Sequence, residues 1–311
     1  MFPSMRVAIA HFSRTIAGLN ATGKIVLYFI AVLFVGALLA PPLFWAGTAL
    51  IAPLRDEPFQ RFFNRAALIA ALAFLWPLAK SFRVRTRAEL GIQPNARWLL
   101  DLATGLCAAV GFMLLMCAII KGFDAFKWHA PKDRKLGDFP KVLLTATTVS
   151  CIEEALFRGA FLGVFLRTMG KWSALFAMSA LFSVLHFIKP NELSIAAGDV
   201  HWHSGFALIP ATFSQFSDPA MIGALFTTLF AVGWALGYTT MKTRSLWMAI
   251  GLHAGWILCI QGFGKVAKLN KNQLPWIGSE LRIGLAPLLT VAATGIACWL
   301  LLRRRSQKDA E

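Results

Sequence analysis

Of the 311 residues, 57% are hydrophobic and only 15% are charged, and the mean hydropathy is +0.62. That mix excludes an ordinary soluble domain and predicts a polytopic membrane protein of the all-α class. The formal charge of +16 would suit a nucleic-acid binder, but the bases lie between apolar runs and at the chain ends. Lipid headgroups lie at those levels, so the partner expected there is the bilayer and no nucleic acid.

Residues 1–24 carry Arg6 and Arg14 without a small-residue cleavage pattern, so they read as an N-terminal interfacial segment, with an amphipathic helix over 5–19. A crossing helix needs about 20 mainly apolar residues. About eight runs approach that length, at 25–50, 66–78, 98–120, 142–166, 172–188, 221–240, 246–260 and 283–302. The first contains Pro41 and Pro42 and reads as a kinked span or two shorter pieces; the second is short and contains Pro77. There is no internal repeat and no soluble domain. The expectation is one transmembrane bundle over 25–303, followed by a basic tail over 304–311. Lys and Arg divide almost evenly between alternate loops, so the positive-inside rule favours a cytoplasmic N-terminus only slightly. The plasma (inner) membrane is the expected location.

All five cysteines, Cys107, Cys117, Cys151, Cys259 and Cys298, sit in apolar runs without metal-ligand spacing and read as packing residues. Asp101, near the start of the third run, suits a helix N-terminus. His201 and His203 alternate in a loop and could ligate a metal, but interfacial placement is the simpler reading. The segment 191–219, with Trp202, Phe206, Phe213 and Phe216, reads as lying on the membrane or folding over a pocket.

The chemistry gathers in the fourth run, where Glu153, Glu154 and Arg158 interrupt apolar sequence. Each charge near a helix centre costs roughly 2.5–3.5 kcal/mol on insertion scales, which marks a functional cluster with partners to find. Glu154 and Arg158 are four apart and can pair; Glu153 points elsewhere, over Phe157, and is left to face a cavity. A carboxylate so placed can take a proton from water and return it. At about 1.5 Å per residue, Glu153 lies roughly 16 Å in from Val142. His186 sits one turn before the fifth run ends at Lys189 and Pro190. The seventh run travels the same way as the fifth, which puts His253 in the same half of the membrane. One histidine could polarise the water and the other could donate to a carbonyl oxyanion. Phe182, one turn before His186, reads as packing.

Glu153-Glu154-Ala-Leu-Phe-Arg158, Phe182-Ser-Val-Leu-His186 and the later His253 together resemble the CAAX-processing and bacteriocin-processing (CPBP, or Abi) membrane endopeptidases, which include the type II CAAX prenyl endopeptidases. The resemblance covers 141–260. It implies an eight-helix intramembrane glutamic protease in which Glu153 and His186 activate water and His253 belongs to the oxyanion site. It requires no cofactor and implies a membrane-anchored or membrane-proximal peptide as substrate. The family's third motif carries a polar residue four positions after its histidine, where this chain has Ile257. The Trp256 indole N–H is the candidate substitute donor, with Gln261 a poorer one. The alternatives are a zinc protease using Glu153, His186 and His253 as ligands, and a catalytically weak relative that binds membrane peptides as a scaffold. A proton-coupled carrier would show repeated halves.

Overall fold

The computed structural model describes residues 3–83, 96–188, 195–213, 219–270 and 273–308. In chain order the helices are α1 (Pro3–Ala17), α2 (Ala21–Leu50), α3 (Phe59–Ser81), α4 (Trp98–Gly122), α5 (Phe139–Glu154), a π-helical segment (Ala155–Phe161), α6 (Leu162–Thr168), α7 (Lys171–Leu185), α8 (Ser204–Ala211), α9 (Pro219–Thr243), α10 (Trp247–Val266) and α11 (Leu285–Lys308). A two-stranded antiparallel ribbon, β1 (Phe126–Trp128) with β2 (Ala267–Leu269), is the only sheet among the described residues. The protein is an all-α polytopic membrane protein.

Among the described residues, six helices are long and apolar enough to cross a bilayer: α2, α3, α4, α9, α10 and α11. The other two predicted runs are also helical but broken or short. The 142–166 run is divided by the π segment immediately after Glu154, and α7 has 15 residues. Lys189 and Pro190, expected to close that run, lie outside the described residues, as does Phe216.

The chain forms two compact units, Met1–Arg85 with His186–Asp218, and Thr86–Leu185 with Pro219–Glu311. In the first unit, α2 is one continuous 30-residue helix through Pro41 and Pro42, neither broken into two pieces nor ended by them. Proline removes a backbone donor, and spanning helices tolerate this where neighbours cover the freed carbonyls; here Ala37, Ala40 and Pro41 are all buried. Antiparallel α3 sets Phe59 and Phe62 edge-on to Phe44, with Phe63 in the same core. The Tyr28 hydroxyl donates to the Ala71 carbonyl at 3.1 Å, and Lys24 Nζ to the Ser81 carbonyl at 2.9 Å. α1 buries Phe12 and Ile16, with Phe12 4.8 Å from Phe74 between ring centroids. α8 inserts Leu208 into the same core, while Phe206 meets Phe34 edge-on. The described part of the 191–219 segment is therefore packed structure, with Trp202 left exposed.

The second unit holds the remaining helices, and small residues set their spacing. α4 and α10 run parallel, with Gly105, Gly251 and Gly255 at the crossing. A Cβ on Gly251 would lie 2.1 Å from the Leu102 carbonyl oxygen, and one on Gly105 would lie 2.2 Å from that of Met248. Only hydrogen fits at either place. This is the small-xxx-small packing through which membrane helices gain van der Waals contact when no hydrophobic drive separates them from lipid. α7 and α9 run antiparallel in the same manner at Gly233, whose Cβ would sit 2.9 Å from Ser179 Cα, and the Ser183 hydroxyl donates to the Phe226 carbonyl at 2.9 Å. Buried Asp101 does more than begin α4: Arg305 at the end of α11 donates to it at 2.6 Å, tying the two helices together.

Candidate functional site

α5 and α10 run antiparallel, with Lys265 Nζ donating to Asp138 Oδ2 at 2.7 Å at one end of the pair. The site lies toward the other end, where the last turn of α5 meets the second turn of α10. Glycines 251 and 255 face α4, and His253, two residues past Gly251, is rotated by about 200° to the opposite side of α10, toward α5. The crossing with α4 thus aims the imidazole.

His253 is buried between two carboxylates. Its Nδ1 lies 2.8 Å from Glu154 Oε1 and its Nε2 lies 3.8 Å from Glu153 Oε2. The same Glu154 oxygen accepts from Arg158 Nη1 at 3.0 Å, and both side chains of that pair are fully buried. Arg158 Nη2 also donates to the Gly233 carbonyl at 3.3 Å. The guanidinium stacks over Phe182, 4.4 Å from the ring centroid, and the Phe182 ring meets His253 edge-on at 6.0 Å and Phe157 at 5.1 Å. Phe182 is fully buried, and one of the rings it meets is the His253 imidazole. Glu153 keeps 28% of its side chain exposed, whereas Glu154 keeps none.

The Glu154–Arg158 pair follows from their spacing, but the bond from Glu154 to His253 does not. On spacing alone, Glu154 is only the structural partner of the arginine. In the folded chain it holds the guanidinium and the imidazole on a single oxygen. A π segment follows Glu154 directly, beginning at Ala155 and closing with the Leu162 N–H on the Phe157 carbonyl. A π turn inserts one extra residue into a helix, and such insertions concentrate at functional sites. Adjacent Glu153 and Glu154 are long enough for both carboxylates to flank one ring.

Trp256 is buried, and its indole N–H has no hydrogen-bond partner among the described residues. An unmade buried donor is costly in an apolar surround. Ile257 is half-buried, and Gln261 is exposed nearer the far end of α10. His186 directly follows α7, is half-buried, and belongs to the other compact unit. His201 and His203 stack ring on ring at 5.7 Å. All five cysteines are free thiols. Among the described residues, no three His, Cys, Asp or Glu side chains are grouped to hold a metal ion. A hollow of about 810 Å³ between α4, α11 and residues 273–277 has no ionisable lining and includes none of the site residues.

The motif glutamates, the arginine, Phe182, His186 and His253 all fall within one matched stretch. Residues 135–259 match the model of a family described as "Type II CAAX prenyl endopeptidase Rce1-like". Neither the curated proteins nor the solved structures give a match to the chain.

Proposed function

We propose that the chain, which over residues 135–259 belongs to the Rce1-like type II CAAX prenyl endopeptidase family, hydrolyses membrane-anchored or membrane-proximal peptides with a water activated by Glu153. At the coarser level the family is one of membrane proteases, hydrolases embedded in the bilayer. The observation that carries the finer reading is the convergence of two carboxylates on the His253 imidazole, one of them also holding Arg158, inside an apolar bundle.

Glu153 suits the general base because, of the two acids, it alone retains exposure and is not the one committed to Arg158. It takes a proton from water as the oxygen attacks the peptide carbonyl. The same proton passes to the amine nitrogen as the C–N bond breaks. The proposal carries over the two histidines of the resemblance, His186 to polarise the water and His253 to donate to the oxyanion. The unpartnered Trp256 N–H is a donor for that oxyanion, in the place where Ile257 offers none. The substrate class, a peptide held at the membrane by a lipid or a spanning segment, rests on the family and on the depth of the site. No metal or cofactor is required by this chemistry, and the plasma membrane is the proposed location.

The test is cleavage, in proteoliposomes, of a fluorogenic peptide bearing a farnesylated cysteine near its C-terminus. Glu153→Gln should lose 10²–10⁴ in kcat, the usual range for a general base, with its melting temperature preserved. His186→Ala should fall comparably, and Trp256→Phe by on the order of a hundredfold, as for one oxyanion donor. Equal turnover by wild type and Glu153→Gln would end the proposal, and retention of activity by Trp256→Phe would remove the indole from it.

A further inference from the structure

Along the exposed side of α7, α9 and α11 lies a groove of about 510 Å³, within the roughly 300–1,000 Å³ usual for small-molecule sites. Its walls are aromatic. Trp172 of α7 stacks on Trp234 of α9, with ring centroids 6.2 Å apart and planes 9° from parallel, and Tyr238 and Trp299 continue the lining toward the ends of α9 and α11. Gly295 opens the floor. A Cβ there would come no closer to a neighbouring helix than 3.5 Å, at the Ala235 Cβ, so packing does not demand a glycine and its missing side chain leaves a trough.

Each of the three helices sets a base over one of these rings. Lys171 Nζ lies 5.4 Å from the Trp172 ring centroid, Lys242 Nζ lies 5.9 Å from that of Tyr238, and the Arg303 guanidinium lies 5.6 Å from that of Trp299. Lys242 and Arg303 each follow their ring by four residues, one turn on along the same helix face. α9 and α11 run parallel: α11 ends at the start of α4, where Arg305 bonds Asp101, and α9 ends just before α10, which runs with α4. Counted from the Gly295–Ala235 contact, Arg303 and Lys242 both stand roughly 11 Å further along. Their apolar stems follow the rings and their charged heads reach one level near the helix ends, as long cationic chains do at a bilayer surface.

No carboxylate answers these bases. α7, α9 and α11 contain no Asp or Glu, none of the three bases has an ion-pair partner among the described residues, and Asp101, at the same end, is taken up by Arg305.

We infer that the groove is a binding site for one anionic phospholipid, its phosphate held between Lys242 and Arg303 with Lys171 beside them, and one acyl chain lying over Trp172, Trp234 and Gly295. The trough alone would take any lipid chain. The bases choose among headgroups: a zwitterionic lipid brings its own cation against them, whereas phosphatidylglycerol brings a net negative charge, and basic pockets between spanning helices hold such headgroups. Arg303 adds a planar fork that fits two phosphate oxygens at once. The larger hollow between α4 and α11 has no base on its lining and so has nothing with which to select. The assignment is independent of the proteolytic reading.

The test is native mass spectrometry of the full-length protein in detergent micelles containing phosphatidylglycerol and phosphatidylcholine of identical chains at equal concentration. Wild type should retain one phosphatidylglycerol in preference. Lys242→Ala with Arg303→Ala should cut that preference by on the order of tenfold or more, as for two bases beside a headgroup. Lys127→Ala with Lys268→Ala removes the same charge from an exposed pair on the β1–β2 ribbon and should leave it unchanged. Gly295→Leu, whose side chain enters the trough, should abolish the preference with the bases intact, thermal unfolding serving to show that each variant is folded. Inorganic phosphate should not displace the lipid, because it has no chain to fill the trough. Equal retention of the two lipids by wild type, or an equal loss in the ribbon variant, overturns the proposal. So does undiminished preference in a folded Gly295→Leu, or displacement by inorganic phosphate alone.

Discussion

On one side of α10, Gly251 and Gly255 bring backbone against backbone with α4; on the other, His253 reaches two carboxylates and, through one of them, a guanidinium. The first face carries no side chain and no charge, and the second concentrates groups that a bilayer resists. Each depends on the other. Ordering a polar cluster in an apolar surround requires a rigid frame, and helices locked at glycine contacts cannot slide or rotate by even a small angle without a clash. The comparison teaches that the orientation of the imidazole is set largely by residues that never touch it.

The charged face can be broken most severely at Arg158. Removing it leaves Glu154 buried without its counter-charge, and breaking a buried pair by deleting one partner costs about 3–5 kcal/mol. Arg158→Leu should therefore lower the denaturation midpoint sharply, read by thermal unfolding in detergent. The double replacement Arg158→Met with Glu154→Gln should recover much of the loss while remaining inactive. Recovery is expected because the paired charges contribute little net stability over apolar groups of similar size. If the single and double variants unfold alike, the cost lies in packing around Phe182 rather than in charge.

The apolar face is tested by contrasting two glycines. Gly251→Val drives a side chain into the Leu102 backbone, which cannot yield as a flexible side chain would, and should cost about 3 kcal/mol or more. The matched control is Gly111→Val in α4, where an added Cβ meets nothing within 4 Å; its effect should stay within about 0.5 kcal/mol, as for surface positions. Thermal unfolding of the two side by side, with His253 monitored by NMR, should show the ring displaced only in the first.

Much of this frame was legible in the residues. The eight apolar runs fall on helices because lipid leaves the backbone no other way to satisfy itself. Their ends were harder to place. α3 begins at Phe59 rather than near Ala66 because Gln60, Arg61, Asn64 and Arg65 dilute the hydropathy of its first turns. Arg65 nonetheless lies over the Phe62 ring at 5.8 Å, its long stem reaching along an apolar surface. Pro41 and Pro42 suggested a break that buried alanines made unnecessary. The motif residues were readable by type and spacing. The Glu154–His253 bond was not, because 99 residues separate the partners and the π turn that accompanies them has no signature in the sequence. One signal was present and unused: Gly251-x-x-x-Gly255 brackets His253, which on helical geometry already places the histidine opposite a close-packing face. The division into two units, at 85, 185 and 218, has no counterpart in composition, since both are built from the same apolar helices.

The smallest effect belongs at the far end of the α5–α10 pair, where Asp138 and Lys265 close the crossing outside the apolar region. The hydrogen bond from Lys265 and its charge, joined by Lys141 and Lys135, hold the Asp138 carboxyl below its usual value against a slight desolvation that raises it. A carboxyl whose pKa is lower folded than unfolded contributes stability above the unfolded value, near 3.9, and loses it as pH falls through the folded one. Asp138→Asn should thus melt slightly below wild type at pH 7, with the gap closing only under acid conditions below pH 4. Because the pair is accessible to solvent, raising the salt concentration should narrow the gap at pH 7 as well. A gap that is insensitive to salt and persists in acid would mean that Asp138 acts by starting α5 rather than by pairing across to α10, and the register of the two helices would then rest on the buried end alone.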